Sequence, residues 1–523
     1  MSKRANDQSE ERAAKQLRQA NDGQPTQKAD DEGMGEFEDQ WGDEEESDGE
    51  VIEHDVVEDD DVNGDEDIEM IGAIEDEEAE PTQPEKEPYI PGVSRPLTAE
   101  EILEPDYSVY QALHQLAYTW PCLSFDVLRD DLGWERNKFP HTAWVVAGTQ
   151  SGQDGSSDGM GKSKDEVVVM KWGGLSRTRA EESDDEEEDE DVDDYDEDAH
   201  LEFLSIPHVG GVNRIRAQKQ PSSTGLPASG TPYHVATMAE TGKVHIFDVR
   251  PMIDQLASPS TALPRTDKSK RPIHTITNHG KNEGFALDWS PASSSTSDLK
   301  LLTGDIASQI YHTSLTPTGF TTQPKPFLSH TSSIEDLQWS PSESTVFASC
   351  SADRSVRVWD VRVKNRKSVT GITEAHDEDV NVISWNTGVE YLLCSGGDEG
   401  GIKVWDLRNL KGGLAQPAPV AHFTWHNKPI TSIEWHPTDT SVLAAASDDD
   451  SVSLWDLSVE ADEEEAATKK LNESNGGIVV PPQLLFVHQG QKHIKEVHWH
   501  AQIPGMVSTT AADGFNIFKT ISA

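Results

Sequence analysis

His330, Ser349 and Asp353 are the residue types of a nucleophilic relay: a hydroxyl to attack, an imidazole to take its proton, and a carboxylate to orient the ring. His376, Ser395 and Glu399 repeat the set, and His426 and Asp449 repeat it again with Ala445 at the hydroxyl position. Catalytic nucleophiles are not copied at a fixed interval. Here each His is followed nine residues later by a Trp, and twenty residues after that by Trp-Asp. The series runs His330, Trp339, Trp359; His376, Trp385, Trp405; His426, Trp435, Trp455. A buried indole N–H or carboxylate needs a hydrogen-bond partner. We therefore read His330, Ser349, Asp353 and Trp359 as a structural tetrad. His376, Ser395 and Trp405 form a second, and His426, Asp449 and Trp455 a third. No catalytic residue, metal site or cofactor is expected.

Such a tetrad must be held by short strands and tight turns. Between the Trp positions lie segments such as SPSESTVFASCSADRSVRVWD, and the period is 46 to 50 residues. That is the pattern of four-stranded WD40 propeller blades. Degenerate copies occur upstream at His279/Trp289/Asp305, at Phe247-Asp248 and at Trp172, and downstream at His488/Trp499/Asp513/Phe518. The fold expected is all-β: a seven-bladed WD40 β-propeller over 121–523, with an N-terminal flanking helix and disordered acidic segments. The chain stops soon after Phe518, so CLSFDVL (122–128) is expected to supply the outer strand of the seventh blade and close the ring. In the element 97–120, Thr98 and Glu101 form a capping-box pattern, and Tyr107, Tyr110, Leu113 and Leu116 recur at helical spacing. A helix over 106–118 follows.

Charge is the second signal. The 523 residues carry a formal charge of −53, of which residues 30–80 supply 27 carboxylates and residues 181–198 another 15, with no Lys or Arg in either. These segments bury too little apolar surface to offset ordering entropy, so the region 1–90 and the insert 174–200 are expected to be disordered. Their sign repels nucleic acid and anionic membranes and favours basic partners. Asp184, Asp185, Glu186, Glu187, Glu188 and Asp189 are the centre of the insert and would screen a cationic client. Ser47 and Ser183 sit among acids where an acid-directed kinase would add charge of the same sign.

Weaker signals resolve against chemistry. Gly161-Lys162-Ser163 ends like a phosphate loop, but Ser156 replaces the leading glycine, and the segment lies between strands. Residues 59–70 resemble a calcium loop until Met70 replaces the bidentate glutamate. His498 and His500 read as turn packing. Three cysteines without a CxxC spacing imply a reducing compartment and no disulfide framework. No apolar run is long enough to span a membrane, and the N-terminus lacks a signal-peptide core. Lys3, Arg4, Arg12, Lys15 and Arg18 make a weak split import signal.

The motifs EPDYSVYQALHQLAYTWPCLSFDVLRD, HTAWVVAGTQ, VPPQLLFVHQGQKHIKEVHWH and DGFNIFKTIS resemble the glutamate-rich WD-repeat proteins, regulators of ribosome biosynthesis within the wider histone-binding WD40 family. The resemblance spans about residues 90–523. It implies a monomeric nuclear and nucleolar chaperone, shuttling to the cytoplasm, that escorts a basic large-subunit ribosomal protein, uL-three, to pre-60S particles. Core histones are the alternative client. It also implies a client site between the N-terminal helix and an acidic loop, 457–482, where Glu460, Asp462, Glu463, Glu464 and Glu465 supply charge and Pro481-Pro482 the end. Tyr110, Leu113, Leu116 and Phe486 would form its apolar floor. Lys469-Lys470 depart from the pattern by diluting the loop's charge. The WDVR (359–362) and WDLR (405–408) boxes resemble those of substrate receptors of cullin-RING ubiquitin ligases, a further alternative.

Overall fold

The computed structural model describes residues 105–151, 165–178, 198–220, 226, 230–258, 270–291, 298–410, 413–460 and 480–522. Seven antiparallel sheets of four consecutive ladder positions make the seven blades. Blade 1 comprises Cys122–Leu128, His141–Thr149, Glu166–Leu175 and His200–Pro207. Blade 2 runs from Val212–Ala217 to His274–Ile276, blade 3 from Ala286–Trp289 to Gly319–Thr322, and blade 4 from Ile334–Trp339 to Thr370–Ile372. Blade 5 runs from Val380–Trp385 to Ala421–Phe423 and blade 6 from Ile430–Trp435 to Leu484–Gln489. A short strand, Gly413–Ala415, leaves blade 5 and pairs in parallel with the outer strand of blade 4.

Blade 7 is stitched from both ends of the chain. Glu496–Trp499, Met506–Ala511 and Gly514–Thr520 are joined by Tyr110–Leu116, which pairs antiparallel with the last strand from Tyr110↔Thr520 to Leu116↔Phe515. Two expectations are corrected here. The helix over 106–118 is a three-residue 3-10 turn, Tyr107–Val109, followed by a strand. Residues 122–128 form the inner strand of blade 1, not the outer strand of blade 7. The apolar spacing at 107, 110, 113 and 116 fits a helix. In place, Tyr110, Ala112 and Leu116 are buried at the even spacing of a strand. A sheet edge with unpaired N–H and C=O groups outweighed the local pattern. Residues 97–104 lie outside the described set.

The inner strands pack side by side around the axis, and blade 7 meets blade 1 to complete the ring. Apolar side chains fill the seams. Trp172, Trp289, Trp339, Trp359 and Trp455 are fully buried, and Phe347 stacks on Trp359 with ring centroids 5.7 Å apart. Blades approach closely where glycine stands: a Cβ on Gly396 would lie 2.6 Å from Ile430 of the next inner strand.

Candidate interaction site

The tetrads form as the spacing predicts. In blade 4, His330 Nδ1 donates to Asp353 (2.9 Å), Ser349 Oγ bonds His330 Nε2 (2.7 Å), and Trp359 Nε1 donates to Ser349 (2.8 Å). A carboxylate only accepts, which places the ring proton on Nδ1. Burial pushes His330 below its usual pKa. Burial opposes the charged form of Asp353, yet its bonds from His330 and Ser355 hold it below the usual carboxylate range. Blade 5 repeats the set with Glu399: His376 reaches Glu399 at 2.5 Å and Ser395 at 2.7 Å, and Trp405 donates to Ser395 at 2.8 Å. In blade 6 the missing hydroxyl is supplied from the neighbouring strand. Ser453, paired across the ladder from Ala445, bonds His426 at 2.7 Å and receives Trp455 Nε1 at 2.7 Å, while Asp449 takes the other ring nitrogen at 2.9 Å. Blade 3 uses His279, Thr303 and Asp305, with Tyr311 against the imidazole. Every one of these hydroxyls is buried and already bonded, so none is placed as a nucleophile.

A second network, unread in the sequence, lines the axis. The residue just before each inner-strand Trp accepts the backbone N–H of the Trp in the following blade. Asp288 takes Trp339 (2.8 Å), Gln338 takes Trp385 (2.5 Å), Ser384 takes Trp435 (3.3 Å) and Glu434 takes Trp499 (3.1 Å). The closing junction carries the heaviest load. Buried Glu496 accepts from Phe125 N–H (2.9 Å) and Ser124 Oγ (2.9 Å) of blade 1 and from Arg214 (2.5 Å) and Arg216 (3.1 Å) of blade 2. Burial would raise its pKa, but the two guanidiniums and His498 hold it well below the usual range. His498 is not turn packing. Burial works against its charge, and Glu434 (2.8 Å) and Glu496 outweigh burial, lifting it to about 10. The axial cavity, about 250 Å³, mixes both signs, with Arg129, Arg214, Arg216 and Lys219 against Asp126, Asp288, Asp336 and Glu434. Among the described residues, no three His, Cys, Asp or Glu cluster as a metal site would require.

The residues assigned to the client floor meet only in part. Tyr110 bonds His488 (2.8 Å) and sits edge-on to Phe486 with centroids 5.3 Å apart; half-buried Leu113 and Phe486 pack on the same core of blades 6 and 7. Leu116 belongs to a different cluster with Cys122, Phe125 and Trp172 and offers no floor. The base of the acidic loop is clamped: Asp456 N–H donates to Gln483 O (2.9 Å), and Gln483 Nε2 donates to Val459 O (2.8 Å). This sets exposed Glu460 beside half-buried Pro481 and Pro482. Asp462, Glu463, Glu464 and Glu465 lie outside the described residues, as do 184–189, the residues 1–90, and the segments 59–70 and 158–164.

The acidic insert arises within blade 1, between its third and outer strands, rather than between blades 1 and 2. Its stem is fastened to the closing strand of blade 7. Thr178 N–H donates to Gln111 O (3.1 Å), Leu113 N–H donates to Thr178 Oγ1 (2.7 Å), and His114 bonds Ser176 O (2.8 Å). These bonds cover part of the free edge of that strand. The flank formed by Tyr110–Leu116 thus has the insert stem on one side and the acidic-loop base on the other.

A family model for the histone-binding protein RBBP4, a component of the CAF1 complex, matches residues 100–176, and the WD domain, G-beta repeat model matches 322–360, 367–406 and 417–456. The ribosome assembly protein rrb1 of Schizosaccharomyces pombe is 43% identical over 489 residues, covering 94% of this chain and 93% of its own. The glutamate-rich WD repeat-containing protein 1 of Dictyostelium discoideum is 40% identical over 435 residues, 81% and 83% of the two chains. The histone-binding protein MSI1 of Saccharomyces cerevisiae is 27% identical over 182 residues, 34% and 36%.

Proposed function

The chain belongs to the family of the ribosome assembly protein rrb1 and the glutamate-rich WD-repeat proteins, and from that premise we propose that it escorts a strongly basic large-subunit ribosomal protein, uL-three, to nucleolar pre-60S particles. The coarse role, ribosome biogenesis through protein–protein contact in the nucleus or nucleolus, rests on identity that runs nearly the whole length of both chains. That identity is the observation that carries the reading.

The flank of blade 7 supports the finer part. The segment holding 27 carboxylates runs into the strand Tyr110–Leu116, the insert with 15 leaves from a stem bonded to that strand, and the loop after Glu460 starts beside Phe486. Three polyanionic segments are therefore joined to one side of the ring, next to half-buried Leu113 and Phe486. Charge steers a cationic client, raising association towards ~10⁸ M⁻¹s⁻¹ at low salt, and the shaped flank selects it.

Affinity capture of the full chain from nuclear extract at physiological salt, with crosslinks mapped by mass spectrometry, tests this. Recovery of uL-three crosslinked near blade 7 is expected; cullin adaptor proteins without a basic protein would overturn it. Core histones are the second reading, favoured by the family-model match over residues 100–176. The ligase reading has no such observation. Arg362 and Arg408 of the WDxR boxes fold back in two-pronged bonds onto Asp360 and Asp406, as residues shielding a blade end would.

A further inference from the structure

Blade 4 stands across the ring from the junction of blades 7 and 1, and its outer flank reverses the molecule's charge. The chain has 96 Asp and Glu against 43 Lys and Arg, yet residues 306–334 and 361–373 contain no carboxylate and hold Lys325, Arg362, Lys364, Arg366 and Lys367. The fold brings the two stretches together. Leu328 N–H donates to Arg366 O (3.2 Å), Arg366 Nη1 donates to Lys325 O (2.6 Å), and Ser368 N–H donates to Ser329 Oγ (3.0 Å). The Arg366 guanidinium lies over the Phe327 ring at 4.8 Å, so this arginine is spent on holding the loop. Lys325, Lys364 and Lys367 are exposed and enter no ion pair among the described residues, while Arg362 is 68% exposed even with Asp360 attached. The carboxylates facing the patch, Asp360 and Glu343, both act on Arg362. Leu328 and Val369 are exposed beside the lysines.

We propose that this flank binds RNA through its phosphate backbone. The groups are point-charge cations on a loop fixed by hydrogen bonds, with no pocket to read a base edge, which is the equipment for sequence-independent phosphate contact. Net charge forbids such contact only as an average. At ~0.1 M salt a charge's field decays over about 10 Å, so acidic segments joined to blades 6, 7 and 1 do not cancel a patch on the far side of the ring. The site goes beyond the client reading and does not depend on it: one flank takes a basic passenger and the opposite flank takes the polyanion to which that passenger is delivered.

Fluorescence anisotropy of a labelled single-stranded RNA with the full chain tests the proposal, run from about 50 to about 200 mM salt. Three or four contacts predict a log–log salt slope of about −2 to −3 at ~0.7 per phosphate. The triple variant Lys325→Glu, Lys364→Glu, Lys367→Glu should lose at least about tenfold in affinity at the lowest salt and flatten the slope by about 2. The control pair Lys243→Glu, Lys281→Glu should bind as the wild type does. Absence of wild-type binding at about 50 mM salt, or equal binding by the triple variant, overturns the site. Capture of a basic client by the triple variant should be unchanged, which separates failure here from failure of the client reading. All three lysines are exposed, so a matching melting curve confirms that the variant folds.

Discussion

Blades 4 and 7 solve one problem in two ways. Blade 4 is made from one continuous stretch, and its buried polar core is the tetrad His330–Ser349–Asp353–Trp359. Blade 7 joins the two ends of the chain, and its histidine, His488, finds Tyr110 from the N-terminal strand and Asn516 from the last strand, while Asp513 accepts from Lys492 N–H instead. Its junction with blade 1 is fastened by Glu496, bonded to two neighbouring blades at once. A local blade is held by local contacts; a blade assembled from distant segments needs contacts that cross seams. The seam is also where the acidic segments attach, so closure and client docking share a strand.

The largest effect should come from the seam. Glu496→Ala strands Arg214 and Arg216 in a buried setting and should cost about 3–5 kcal/mol, read as a shift of the denaturation midpoint. A midpoint shift no larger than that of a surface mutation would mean that the seam is not fastened there. Next comes the tetrad. Ser349→Ala leaves His330 Nε2 and Trp359 Nε1 without a buried partner and should cost about 1–3 kcal/mol. Ser453→Ala should match it in blade 6, whereas Ala445→Ser should gain little because Ser453 already serves. Smaller still, Tyr110→Phe removes one buried hydroxyl bond and should cost about 1 kcal/mol while loosening the closing strand in hydrogen exchange.

The pH response separates the axis from the rest. Burial lowers His141, His245 and His312 to about 4 and His488 and His500 to about 3, against an unfolded value near 6.5. The unfolded chain then binds more protons, so stability falls as pH drops from ~6.5 towards 4. His498 has the opposite sign: its contribution is complete below ~6.5 and is lost as pH rises through about 10. Melting temperatures across this range should decline on both sides. Replacing His498 with Gln should flatten only the alkaline limb, and an unchanged alkaline limb would contradict the sign assigned to it.

What could be read from the residues follows the same division. Tetrads were legible because one spacing recurs three times and only a buried network requires it. The hydroxyl of blade 6 was missed because Ser453 replaces Ala445 from across a ladder, a substitution that linear spacing does not show. The axial chain from Asp288 to Trp499 was missed although its signal was present: a side-chain acceptor precedes each inner-strand Trp. The closing strand was misread because Tyr110–Leu116 satisfies both a helical and a strand pattern, and only the vacant edge of blade 7 decides between them. The cationic flank of blade 4 was hidden by summing charge over the whole chain.

The central claim is that acidic segments joined to the flank of blade 7 hold a cationic protein. Its most direct test is the salt dependence of the dissociation constant for a purified basic ribosomal protein, measured for the full chain and for a variant lacking residues 181–198. The account predicts tight, strongly salt-dependent binding by the full chain, and weaker binding with a flatter slope for the variant. Equal slopes for the two proteins, or equal affinity for a neutral protein of the same size, would contradict it.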